Sequence, residues 1–171
     1  MNLDAYEALL TRRSIRQYTQ QRISDELIRQ LLVAAMSAPS AGNQQPWHFI
    51  VLTERPALDA LADALPFGKT LHSAPLGLVV CAETARLPHS GYWVQDCSAA
   101  TENLLLAAHA LGLGGVWIGV YPNEERVAGL RKLLGLPPGV IPLNAIAIGY
   151  PVQPGGTVNR YQEARVHRER W

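Results

Sequence analysis

Strands that alternate with helices, in the order α-α-β-α-β-α-β-α-β followed by a tail, predict a three-layer α/β or α+β domain. Three observations carry that expectation. LGLVVCA, 76–82, is a nearly continuous apolar run of strand length. VQDCSAATENLLLAAHAL, 94–111, is the longest helical pattern and is apolar around most of its circumference, as a central buried helix requires. No repeat or low-complexity linker divides the 171 residues, which read as one domain, 1–171.

The first element is a short amphipathic helix, Leu3 to Thr11, with apolar residues at 3, 6, 9 and 10. Ser24 is the expected N-cap of the second, with Asp25 and Glu26 in the first turn, where carboxylates oppose the positive helix end. Leu27, Ile28, Leu31, Leu32 and Ala35 form its apolar stripe, which stops before Pro39. WHFIVLT, 47–53, reads as a strand and 58–65 as a small helix. Gly112 is the expected residue just past the central helix. GVWIGVY, 115–121, is the next strand, and Asn123 caps a helix reaching Leu134. GLPPG turns the chain into the last strand, 141–151, and an arginine-rich tail follows.

A formal charge of +1 provides no global basic field to draw the chain to nucleic acid or anionic membrane. The charged fraction is 17%, below the usual quarter, consistent with part of the exterior being buried against a partner copy. No apolar stretch approaches a membrane span, and the N-terminal residues do not suit secretion. Cys81 and Cys97 form neither a CxxC pair nor a disulfide framework, so a cytoplasmic location is expected.

Four stretches could carry chemistry. In RRSIR, 12–16, a helical or turn-like path would put Arg12 and Arg16 on one face, converging with the Ser14 hydroxyl on an oxyanion. The planar guanidinium fork suits phosphate better than an ammonium does. A solvated basic turn is the plainer reading, although Ile15 and Tyr18 would anchor the segment to the core. AMSAPSAGNQQPWHF, 35–49, sets Asn43, Gln44 and Gln45 between Pro39 and Pro46. It reads either as a polar loop between helix and strand or as an amide surface for a heterocycle edge alternating C=O and N–H. Trp47 reads as core.

In LGLGGVWIGVY, 111–121, the glycines follow a helix and open a strand, the reverse of the dinucleotide fingerprint. There they end the helix and admit another backbone or a flat ring. Lys132 lies on a surface helix, whereas Lys69, after Pro66-Phe67-Gly68, is either a surface group or a cation able to stabilise charge on a ring. The histidines at 48, 72, 89, 109 and 167 lack metal-ligand spacing, so no metal is expected. Asp96 and Glu102 lie on different faces of the central helix and form no catalytic dyad, and His109 reads as a satisfied core or interface residue. With no acid, base or nucleophile standing out, no catalytic side chain is assigned and the chemistry falls to a cofactor.

Taken in order, RRSIRQY (12–18), SAPSAGNQQPWHFIVL (37–52), QDCSAATENLLLAAHALGLGGVWIG (95–119) and NRYQEARVHRERW (159–171) resemble the nitroreductase family of FMN-dependent NAD(P)H oxidoreductases. The chain is similar to the compact branch, without the insert that covers the active site in longer members. The resemblance implies an α+β, three-layer α/β/α fold whose mixed, mainly antiparallel sheet is flanked by helices. It also implies an intertwined homodimer with two FMN sites at the interface, each built by both chains, and a C-terminal arm, 152–171, reaching the partner.

By the same resemblance, Arg12, Ser14 and Arg160 would bind the phosphate and nearby ribityl, with Arg13 beside them. Arg16 would reach the pyrimidine side of the ring, where a cation supports negative charge near N1 and O2. Pro39, Ser40 and Ala41 would come from the other subunit against the dimethylbenzene side, and Asn43 and Gln45 would support the ring's surroundings. Lys69 stands near a flavin-contacting lysine of the family, with local spacing that departs by about a residue. Trp117, Ile118 and Gly119 would set backbone groups beside N5 and O4. NADH or NADPH would donate electrons and leave before a nitroaromatic or quinone takes its place, a ping-pong scheme. A flavin-binding protein without turnover, flavin destruction and reductive dehalogenation are the alternatives on the same scaffold.

Overall fold

The computed structural model describes residues 4–85 and 87–171; Leu3, where the sequence starts the first helix, lies outside them. Among the described residues, five α-helices and four strands follow in the expected order. They are α1 (Ala5–Thr11), α2 (Asp25–Met36), β1 (Trp47–Leu52), α3 (Arg55–Asp63), β2 (Leu76–Glu83), α4 (Trp93–Ala110), β3 (Gly114–Gly119), α5 (Glu124–Leu134) and β4 (Val140–Gly149). The expected caps are present. Ser24 accepts from the Leu27 N–H and Asn123 from the Arg126 N–H. At the end of α4, Gly112 has φ 78°, its N–H bonds the His109 carbonyl, and the Leu113 N–H reaches back to Ala108. That pair of bonds satisfies carbonyls the helix end would leave free. The third helix begins three residues earlier than the sequence pattern indicates, because Pro56 sits in its first turn, where a missing N–H costs nothing.

The sheet runs β1-β2-β4-β3, and each neighbouring pair is antiparallel. A parallel element enters through one bridge, Ser14 to Gly115, beside β3. Side chains of β2 alternate between two cores. Leu76, Leu78, Val80 and Ala82 pack with α2 and α4, whereas Val79 and Cys81 pack with α3 and α5. β4 divides in the same way, Ile146 and Ile148 to one side and Ala145 and Ala147 to the other. Period-two alternation with both faces apolar is what a sheet covered on both sides needs, so the architecture is α/β/α.

The segment after α1 departs from the helical or turn-like path considered for RRSIR. Arg12 ends the helix with ψ 130°, and Ile15 donates its N–H to the Gly115 carbonyl (3.0 Å). From there the chain is extended, so Arg12, Ser14 and Arg16 share a side by strand alternation rather than by helical spacing. Ile15 on the opposite side packs against Gly114, where an added Cβ would lie 2.6 Å from the isoleucine side chain. The Tyr18 hydroxyl, between the carbonyls of Ile15 and Ala147, ties the segment to β4.

Candidate functional site

Strand β3 is an edge strand, and its free edge forms one wall of a cavity of about 620 Å³. Arg16, Pro66, Phe67, Lys69, Thr70, Trp117, Ile118 and Gly119 are among the lining residues. The carbonyls of Gly115 and Gly119 face away from β4, because they accept from Ile15 N–H and from the Arg126 guanidinium. Alternate residues of a strand direct both backbone groups to one side, so the N–H and C=O of Trp117 also face the free edge. A planar ring with alternating donors and acceptors can pair there. The turn Gly68–His72 carries Lys69, and the Thr70 hydroxyl donates to the Arg16 carbonyl (3.1 Å), holding the two cation-bearing segments together. Arg55 on α3 supports the same turn from behind, donating to the carbonyls of Leu71 (2.5 Å) and Ala74 (3.2 Å).

A second cavity, about 550 Å³, lies between α1 and the C-terminal residues and is lined by Arg12, Arg13, Asn159 and Arg160 among others. The residues from Arg12 to Arg16 therefore run from one cavity to the other, with exposed Ser14 between them. Arg12 pairs with Glu102 (3.0 Å), which fixes its side chain from the central helix. Arg13 acts differently. It donates to the backbone carbonyls of Leu10 (2.7 Å), Arg12 and Val158 (3.3 Å), so it fastens the C-terminal segment to α1. It also lines this cavity, and its buried Nε has no partner among the described residues.

The amide loop lies elsewhere in the chain. Pro39, Ser40, Ala41 and Asn43 line neither of these cavities, and Gln45 faces a separate one beside His48 and Glu83. Asn43 and Gln45 have positive φ, as does Gly42, and in a residue with a side chain that conformation persists where surroundings enforce it. Asp96 provides the enforcement. This carboxylate, 4% exposed, accepts from the Ala41 N–H (2.9 Å) and the Gln44 side-chain amide (2.7 Å). Gln44 also exchanges bonds in both directions with the backbone of His89. Gln44 is thus satisfied internally, leaving Asn43 and Gln45 exposed. Sequence reasoning set Asp96 aside as a catalytic acid and missed its structural role. The available signal was an acid on the otherwise apolar face of the central helix.

The remaining candidates are quiet chemically. Burial pushes the thiols of Cys81 and Cys97 up to about 12, so both stay protonated near neutral pH. His109 lies 2.8 Å from the Thr11 hydroxyl. Its pKa is lowered by burial first and by Arg12 and Arg13 next, which keeps the ring neutral between α1 and α4. Among the described residues no cluster of His, Cys, Asp and Glu is arranged to hold a metal. Nor is any helix among them long and apolar enough to cross a membrane. The donor set suits a flat heterocycle joined to a phosphate: an open strand edge and two cations in one cavity, further guanidiniums in the next.

The sequence profile of the nitroreductase family matches residues 9–67 and 63–150. The chain belongs to the nitroreductase family. It is 46% identical over 169 residues to a protein of Methanothermobacter thermautotrophicus provisionally named an NADH dehydrogenase/NAD(P)H nitroreductase, covering 99% of this chain and 88% of that one. A crystal structure of a similarly named protein from Parabacteroides distasonis matches at TM-score 0.93 and 41% identity over 99% of both chains. A provisionally named nitroreductase from Desulfovibrio desulfuricans, crystallised in complex with FMN, matches at TM-score 0.85 and 34% identity over 100% of this chain and 99% of that one.

Proposed function

We propose that the protein is an FMN-dependent oxidoreductase that passes electrons from NADH or NADPH to an electron-poor acceptor such as a nitroaromatic or quinone. The observation that carries this reading is the open edge of β3 beside Arg16 and Lys69, continued by Arg12 and Arg160 around the adjoining cavity. When bound, FMN supplies a ring that takes electrons from a nicotinamide and gives them to a second substrate. The chain supplies binding and electrostatics. Arg12, Ser14 and Arg160 hold the phosphate end, with Arg13 securing the segment before Arg160. Arg16 and Lys69 stabilise negative charge on the pyrimidine side, Trp117 and Gly119 present backbone groups to the polar edge, and Ile118, whose backbone groups face β4, lines the same cavity.

Pro39, Ser40, Ala41, Asn43 and Gln45 belong to the site through a second copy of the chain, each copy completing the other's ring pocket. Two observations support such a homodimer. Tyr6, Leu9 and Leu10 on α1 and Val33 and Met36 on α2 are large apolar residues left exposed. Residues 152–171 are also exposed almost throughout, as an arm lying on a partner would be, within a single domain of 1–171. A cytoplasmic location fits the two free, buried cysteines. The test is steady-state oxidation of NADH and NADPH at several fixed concentrations of a quinone or nitroaromatic. Parallel double-reciprocal lines support the scheme. Bound FMN with no oxidation under any acceptor would make the protein a flavin-binding one without turnover.

A further inference from the structure

We propose that Arg126 makes the site selective for acceptors bearing an anionic group, with Phe67 providing the aromatic face beside it. This inference rests on the oxidoreductase reading and names the acceptor class. Phe67 lines the larger cavity yet is 70% exposed, an unusual position for a phenyl ring with no apolar cover. The Arg126 guanidinium stands 5.6 Å from its centroid, and its Nη1 donates to the Gly119 carbonyl (3.1 Å). One side chain thus joins two lining residues, the phenyl before the Gly68–His72 turn and the glycine ending β3. Asn123 caps the helix on the Arg126 N–H (3.0 Å), so the backbone that carries the guanidinium is fixed.

The charge of Arg126 is left available. Among the described residues it pairs with no carboxylate, and no residue lining the cavity is acidic. A guanidinium has five N–H donors, and the bond to Gly119 occupies one of them. Arg16 and Lys69 are assigned to the cofactor, whereas Arg126 is given no part in holding it. Its cation is therefore free for the second substrate. An aromatic acceptor packed against the edge of the Phe67 ring would bring a carboxylate toward the guanidinium that lies over that ring, where a charge-assisted bond forms. A neutral amide of the same shape gains far less.

The experiment compares para-nitrobenzoate with para-nitrobenzamide. Acceptor kcat/KM is measured with NAD(P)H as donor, and binding is measured without NAD(P)H by quenching of tryptophan fluorescence, since Trp117 lines the cavity. The wild-type protein should favour the benzoate about tenfold in both readouts. That ratio should collapse toward one in Arg126→Gln, remain in part in Arg126→Lys, and shrink as salt rises from about 0.01 M to about 1 M. Equal handling of the two compounds by the wild-type protein, or a ratio in Arg126→Gln equal to wild type, would overturn the proposal. A binding preference with no oxidation of NAD(P)H by either compound or by any quinone would uphold it while overturning the oxidoreductase reading.

Discussion

Asp96 is the buried charge on which the amide loop depends, because the Ala41 N–H and the Gln44 amide both end on it. Replacing it by alanine strands two donors, and Asp96→Ala should cost about 2–3 kcal/mol of stability in urea unfolding. A loss within error of zero would mean that the loop holds its left-handed residues by other means. Arg12 and Arg160 face the second cavity, and Arg12→Ala or Arg160→Ala should weaken FMN retention by about 1.5–3 kcal/mol, read by equilibrium dialysis. Retention equal to wild type would remove them from the phosphate site. His109 provides a pH test. Its folded-state pKa lies below the ordinary 6.5, so the folded state resists the proton that the unfolded chain accepts. Its contribution is full above about pH 6.5 and is lost as pH falls through the folded value. Urea midpoints should therefore decline on the acid side, and His109→Gln should flatten that decline. An unaltered slope in the variant would assign the effect to other groups.

At the scale of elements, the extended segment from Arg12 to Arg16 and the edge strand β3 form one unit, because Gly114 lets Ile15 approach. Gly114→Ala would place a Cβ about 2.6 Å from Ile15 and should destabilise the fold by about 1–3 kcal/mol while also weakening FMN binding. Gly119→Ala meets no atom within 4 Å, so differential scanning calorimetry should find a melting temperature near that of the parent protein. Helices and strands of this chain were legible because caps such as Ser24, Asn123 and Gly112 carry their own local chemistry. The path of RRSIR was not. Its spacing permits a helical face or a strand side equally, and the choice rests on Gly115, about a hundred residues away, which accepts the Ile15 N–H. Gln44 was illegible for the same reason, since its partners, His89 and Asp96, are distant in sequence.

For the molecule as a whole, both faces of the sheet are covered while α1, part of α2 and residues 152–171 leave apolar surface exposed. Light scattering should find twice the 18.7 kDa chain mass. An FMN-loaded monomer would remove Pro39, Ser40 and Ala41 from the site. The low charged fraction pointed toward an exterior buried against a partner copy, and the apolar residues left exposed on α1 and α2 are where such a copy would lie. The shared flavin site is the central claim, and the visible spectrum of the purified protein, with flavin released and quantified per chain, tests it most directly. The account predicts a yellow protein with one FMN per chain, retained after dialysis or regained on reconstitution. A colourless protein that takes up no FMN would contradict it.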